Sequence, residues 1–152
     1  MSVRPAITLS GAATLNRLPL LLDSVEEVCS AAGAAPGVRH DLRLAVEEAC
    51  VNIVRHAYRD REPGDFTLEI ARESWQGRSA IRVTLRDRGL PFDPLALAAP
   101  RQDADAEHLP LGGLGVHLMR QVTDFQSYRY DAASGNQLTL VKFLAPQPGE
   151  EA

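Results

Sequence analysis

The stretch Leu42–Tyr58, LRLAVEEACVNIVRHAY, constrains the fold more than any other part of this chain. Its apolar residues recur at helical spacing and no Gly or Pro interrupts it, so the rest of the chain has to pack around a long helix. At about 100° per residue, Leu42, Val46, Ala49, Cys50, Ile53 and Ala57 share one arc, the expected core face. Glu48, Asn52 and His56 are four apart, each about 40° from the last, and form a polar stripe along one border of that arc. Glu47 falls about 140° from Asn52, toward solvent. Glu48 and not Glu47 is therefore the carboxylate able to act together with Asn52. Polar residues border every amphipathic helix, so the stripe alone does not make a site.

The flanking segments have other periods. Ala6–Leu9 reads as a short strand ended by Ser10-Gly11. Leu15, Leu18, Leu22, Val25 and Val28 give the core face of a first helix, with Pro19 near its first turn. Gly33–Gly37 reads as a stop and turn, and Val38–Tyr58 as the central helix. After a Pro63-Gly64 turn, Phe66, Leu68 and Ile70 alternate with polar residues. Ile81, Val83 and Leu85 do the same up to Asp87, and Ser74–Ser79 connects the two as a hairpin. From Leu90 to Leu111 no period survives: Pro91, Pro94, Pro100 and Pro110 break it and Asp103, Asp105 and Glu107 make it polar, which predicts a lid. Gly113–Val122 returns to helix. Phe125–Tyr130 and Gln137–Leu144 are two more strands, joined by a Ser134-Gly135-Asn136 turn.

The order β-α-α-β-β-lid-α-β-β is rich in hairpins. It predicts an α+β two-layer α/β sandwich, with a mixed but mostly antiparallel sheet and helices on one face. A single domain over 1–145 and a disordered tail over 146–152 are expected. The formal net charge of -4, without a Lys/Arg-rich run, argues against nucleic acid as a partner. The apolar run Leu18–Leu22 is too short to span a membrane, and the N-terminus lacks a secretory pattern. Cys29 and Cys50 sit in helical apolar patterns and read as small buried hydrophobes rather than a redox pair or metal ligands, which suits a cytoplasmic location.

Three further features carry chemistry. Asp87 ends a strand and can accept a hydrogen bond from an exocyclic amine such as that of adenine, while Gly89, without a Cβ, lets a ring lie close to the backbone. Gly112-Gly113-Leu114-Gly115 opens a helix and can aim backbone N–H groups at phosphates. It is not a Walker loop, because no Gly-Lys-Ser/Thr follows. Asn52 offers an amide oxygen suited to Mg²⁺ beside phosphate oxygens, and Glu48 could deprotonate an attacking hydroxyl. His56 reads as a border histidine or a lid contact.

Taken together, Glu48-Ala49-x-x-Asn52-x-x-x-His56-Ala57-Tyr58, Asp87-x-Gly89-x-x-Phe92-Asp93 and Gly113-Leu114-Gly115-x-x-Leu118-Met119 resemble the N, G1 and G2 boxes of the GHKL ATPase superfamily. The bacterial anti-sigma factor serine kinases are the most similar branch, and Thr139-Leu140-Val141-Lys142 resembles that branch's last strand. The resemblance implies a Bergerat-type site for ATP and Mg²⁺. Glu48 would be the base, Asn52 the metal ligand, and Asn52, His56, Asp87, Gly89, Phe92, Gly113, Leu114, Gly115 and Thr139 the nucleotide contacts. It further implies phosphorylation of an anti-anti-sigma, STAS-type partner, sequestration of a sigma factor, and a homodimer. The chain departs from the pattern in having few glycines before Gly112 and an acidic lid, which Arg101 could offset. Two other readings are an idle ATP-holding interaction module, against which the retained Glu48 argues, and a histidine-kinase-type catalytic domain, for which no phosphoacceptor helix precedes.

Overall fold

In the computed structural model, which describes residues 6–58, 64–96 and 113–145 (113–117 by their backbone alone), the alternating segments pair into a sheet. Its strands among the described residues are β1 (Ala6–Ala12), β2 (Asp65–Trp75), β3 (Arg78–Asp87), β4 (Phe125–Asp131) and β5 (Gly135–Phe143), in the order β1-β2-β3-β5-β4. Every pairing is antiparallel, so the expected mixed character is absent among these residues. The register stacks the apolar faces: Leu68 lies opposite Leu85 and Ile70 opposite Val83, while Leu85 and Val83 meet Leu138 and Leu140. Like residues therefore share one face, as the two-residue period requires.

That face is covered by α1 (Leu18–Ala31), α2 (Pro36–Asn52) and α3 (Gly113–Val122), with α2 packed on both other helices. The six residues of the predicted α2 arc, Leu42, Val46, Ala49, Cys50, Ile53 and Ala57, are all buried. Burying a side chain such as Leu42 or Val46 contributes about 1.5–3 kcal/mol. Cys29 and Cys50 are free and buried, and burial pushes both thiols up to about 12. Among the described residues no helix is long and apolar enough to cross a membrane.

Four local expectations change. The strand β1 does not stop at Ser10-Gly11 but pairs with β2 as far as Ala12. Arg17 donates to the carbonyls of Ser10 and Ala12, both at 3.1 Å, and its guanidinium fills the space a Cβ on Gly11 would take. The helix α2 begins at Pro36, because proline at the first helical position lacks only an N–H that would be unpaired there anyway. Gly33, at φ 79°, is the residue that turns the chain after α1. Regular α-helix ends at Asn52, and Ile53–Ala57 forms a π-helical turn. Tertiary anchors hold that turn wide: Ala57 O accepts from Leu90 N at 2.7 Å, and Tyr58 Oη donates to Asp65 O at 2.6 Å while accepting from Arg88 N at 3.1 Å. Glu47, expected in solvent, is half-buried like Glu48.

The opposite face of the sheet carries Arg82, which pairs with Glu73 at 2.9 Å and Glu69 at 3.1 Å, and Arg86, 3.6 Å from Glu69. At the end of this face far from Asp87, Trp75 of β2 meets Phe125 of β4 at 4.8 Å between ring centroids. Ala80 and Val141, on the strands between them, are fully buried.

Candidate functional site

Between the C-terminal part of α2 and the end of β3 lies a cavity of about 340 Å³, open mouth included, lined by apolar Ala49, Ile53, Ala57, Leu85, Pro94 and Leu138 and by a small polar set. Sites for small ligands are built this way, with apolar walls and a few placed polar groups. The polar set is Asn52, Asp87, Tyr128 and Asn136, with Phe92 beside them.

Asp87 is the last residue of β3 and is buried, since it lies on the same face as Val83 and Leu85. Its Oδ1 accepts from Gly89 N at 2.9 Å and from Asn136 Nδ2 at 2.8 Å. No described residue hydrogen-bonds Oδ2. Burial pushes the Asp87 carboxyl above the usual carboxylate range, and the two donors from Asn136 and Gly89 hold it back. An ionised Asp87 thus presents an acceptor edge toward the cavity.

Asn52 also lines the cavity and is only 2% exposed, yet neither Oδ1 nor Nδ2 has a hydrogen-bond partner among the described residues. A buried amide left so costs about 1–3 kcal/mol, and a water, an ion or a ligand group in the cavity would satisfy it. The donor chemistry fits a hard cation through Oδ1. Glu48 stands one turn earlier on α2, half-buried, and is not among the lining residues. On the π-helical turn, His56 stacks on Phe92 with ring centroids 4.4 Å apart and planes 17° from parallel.

Gly89 has a packing role in this structure. A Cβ there would run into the Ala57 carbonyl, so its bareness serves the seam between the π-helical turn and the loop after β3. Thr139 is not brought to the cavity. It alternates with inward Leu138 and Leu140, so it stands on the opposite face of the sheet, paired with Thr84 and Ser127. Gly113, Leu114 and Gly115 form the start of α3, which packs along α2. The expected lid is described only as far as Ala96, with a 3-10 turn at Pro94–Ala96. Its remainder, with Arg101 and Gly112, and the tail 146–152 lie outside the described residues.

Sequence reasoning missed Asn136 and Tyr128. Asn136 belongs to β5, not to a turn, and is 5% exposed. It follows Gly135, whose φ of 86° and close approach to the Asp87 carbonyl demand glycine. Its Nδ2 bonds Asp87 and Leu90 O, at 2.9 Å, while its Oδ1 accepts from Phe92 N at 3.1 Å and from the Tyr128 hydroxyl. Counting back by twos from Leu140 and Leu138 would have turned Asn136 inward, and pairing with Leu138 does the same for Tyr128.

Residues 11–142 match the model of the histidine kinase-like ATPase domain. The chain is 30% identical over 135 residues to serine-protein kinase RsbW of Listeria innocua, covering 84% of this chain and 80% of that one. It is 28% identical over 142 residues to serine-protein kinase RsbW of Bacillus cereus, covering 91% and 76%. Among solved structures, that of the RsbU and RsbW domains of a Mycobacterium tuberculosis protein superposes with a TM-score of 0.62 at 19% identity, over 92% of this chain and 32% of that one. The last likeness concerns the fold.

Proposed function

The chain belongs to the histidine kinase-like ATPase domain family, and we propose that it is an ATP-dependent protein-serine kinase and anti-sigma factor. On this reading residues 1–145 are one kinase domain that phosphorylates a serine of a STAS-type anti-anti-sigma protein and otherwise holds a sigma factor. A cytoplasmic homodimer belongs to the same reading, supported by the family resemblance. Support for the kinase assignment comes from the relatives named serine-protein kinase RsbW. The observation that carries the nucleotide reading is one cavity joining the buried Asp87 acceptor edge to the buried amide of Asn52, which has no partner among the described residues.

In this mechanism Asp87 Oδ2 accepts the exocyclic amine of adenine, with the apolar walls Ala49, Ile53, Leu85 and Leu138 against the ring. Asn52 Oδ1 would hold Mg²⁺. Bound Mg²⁺ supplies charge neutralisation at the phosphate oxygens. Backbone N–H groups of Gly113, Leu114 and Gly115, at the start of α3, would bind the phosphates. Phe92, which lines the cavity, is backed by the stacked ring of His56. Glu48 takes the proton of the incoming serine hydroxyl, so it acts on the partner rather than on the base-binding cavity it does not line. Thr139 has no part in this reading.

Radiolabel transfer from Mg·ATP to a STAS-type partner, beside a binding titration, tests it. Glu48→Gln should bind ATP nearly normally and transfer phosphate at least roughly a hundred-fold more slowly. A wild type that binds ATP and partner but never transfers would leave only the idle binding module.

A further inference from the structure

The bonds around Asn136 have directions that the chemistry of the groups dictates. Phe92 N can only donate, and it reaches both Tyr128 Oη and Asn136 Oδ1 at 3.1 Å. The hydroxyl of Tyr128 accepts that N–H, so its own proton goes to Asn136 Oδ1. Leu90 O can only accept, and it takes one N–H from Asn136 Nδ2 at 2.9 Å. A flipped amide would set oxygen against the Leu90 carbonyl and the Asp87 carboxylate, and NH₂ against the Phe92 N–H. The remaining N–H of Asn136 therefore points at Asp87 Oδ1, which also takes Gly89 N–H. Both neighbours of the carboxylate lie on Oδ1, and the group is buried.

From this we propose that Tyr128 and Asn136 are a positioning relay that sets the base preference of the cavity, favouring purines with a 6-amino group over purines with a 6-oxo group. The proposal rests on the nucleotide reading above. The relay's Asn136 N–H, beside that of Gly89, fills Oδ1 and favours the ionised carboxylate, so Oδ2 is left as an acceptor. A 6-amino purine donates to it, whereas a 6-oxo purine sets its own lone pairs against a carboxylate. Without the relay the buried carboxyl loses a donor, takes up a proton more readily and can then donate to a keto oxygen. The preference should then shrink or vanish.

Titrations of wild type, Tyr128→Phe and Asn136→Leu with ATP, inosine triphosphate and the purine riboside triphosphate that lacks any 6-substituent test this. Tyr128→Phe keeps the ring and cavity wall, and removes only the hydroxyl. For ATP, affinity should fall about three- to ten-fold in Tyr128→Phe and about ten- to a hundred-fold in Asn136→Leu. For the unsubstituted analogue it should stay within about two-fold in both variants. The acid limb of ATP binding should move to higher pH in Asn136→Leu, because Asp87 has lost a donor. Equal losses for all three nucleotides would reduce the relay to a packing role and overturn the proposal. So would unchanged ATP affinity in both variants. A wild type that binds ATP without preferring it to the analogues would overturn the base-recognition role alone. A wild type that binds no nucleotide would remove the ATP reading and the relay with it.

Discussion

Replacing Asn52 by leucine should move stability and function in opposite directions. Asn52 is 2% exposed and both polar atoms of its amide lack partners among the described residues. Burying such an amide costs about 1–3 kcal/mol by protein mutational scales. Leucine has a similar shape and no polar atom, so Asn52→Leu should recover most of that cost in the nucleotide-free protein. In a domain of this size each kcal/mol raises Tm by about 2–4 °C, which gives a rise of about 2–10 °C. Nucleotide reverses the order. Wild type at a hundred times its Kd gains about 2.7 kcal/mol from Mg·ATP, and the variant, without the Oδ1 ligand, should gain little. Thermal and urea unfolding of both proteins, with and without Mg·ATP, provides the four numbers. A nucleotide-free variant less stable than wild type would mean that the Asn52 amide is satisfied in the folded protein. A variant that keeps the full Mg·ATP shift would place the metal elsewhere.

Two other outcomes follow from the same cavity. Gly89→Ala would drive a Cβ into the Ala57 carbonyl that also accepts Leu90 N–H, so urea denaturation should show a loss of about 1–3 kcal/mol; a neutral variant would contradict the close approach. The raised pKa of Asp87 gives two pH dependences of opposite sign. Its contribution to folding is present below the unfolded carboxylate pKa and is lost as pH rises through the higher folded value, whereas ATP affinity should fall as pH drops through that value. Asp87→Asn should abolish the first and weaken ATP binding throughout, which denaturation and titration from about pH 4 to 7 would resolve.

What could be read from the chain depended on whether the signal was local. The buried arc of α2 and the alternation at Phe66–Ile70 and Ile81–Leu85 are local periods, and they gave the core face and the central hairpin directly. The place of Asp87 at a strand end and of Asn52 on the core border came from the same periods. Asn136 was not legible as part of the site because its neighbourhood, Ser-Gly-Asn, looks like a turn, and its partner Asp87 is 49 residues away. Only the cross-strand register reveals the pair. The π-helical turn depends on Leu90, Asp65 and Arg88, none of which belongs to the helix. For Glu47 the helical angle gave a direction but not what packs over it. Thr139 came with the resemblance, and its parity with Leu138 and Leu140 argued the other way.

The contact between Trp75 and Phe125 has a spectroscopic consequence. The chain contains a single tryptophan, so its intrinsic emission arises at one place. That place is the outer face of the sheet, at the end of β2 remote from Phe66, which pairs with Asp87. The ring bridges from β2 to β4 across β3 and β5, so its quenching and wavelength follow the alignment of four strands at once. Emission from Trp75 should therefore track the melting of the sheet, while signals from a bound fluorescent nucleotide follow the other face. The two optical channels separate loss of the ligand from loss of the scaffold within one sample.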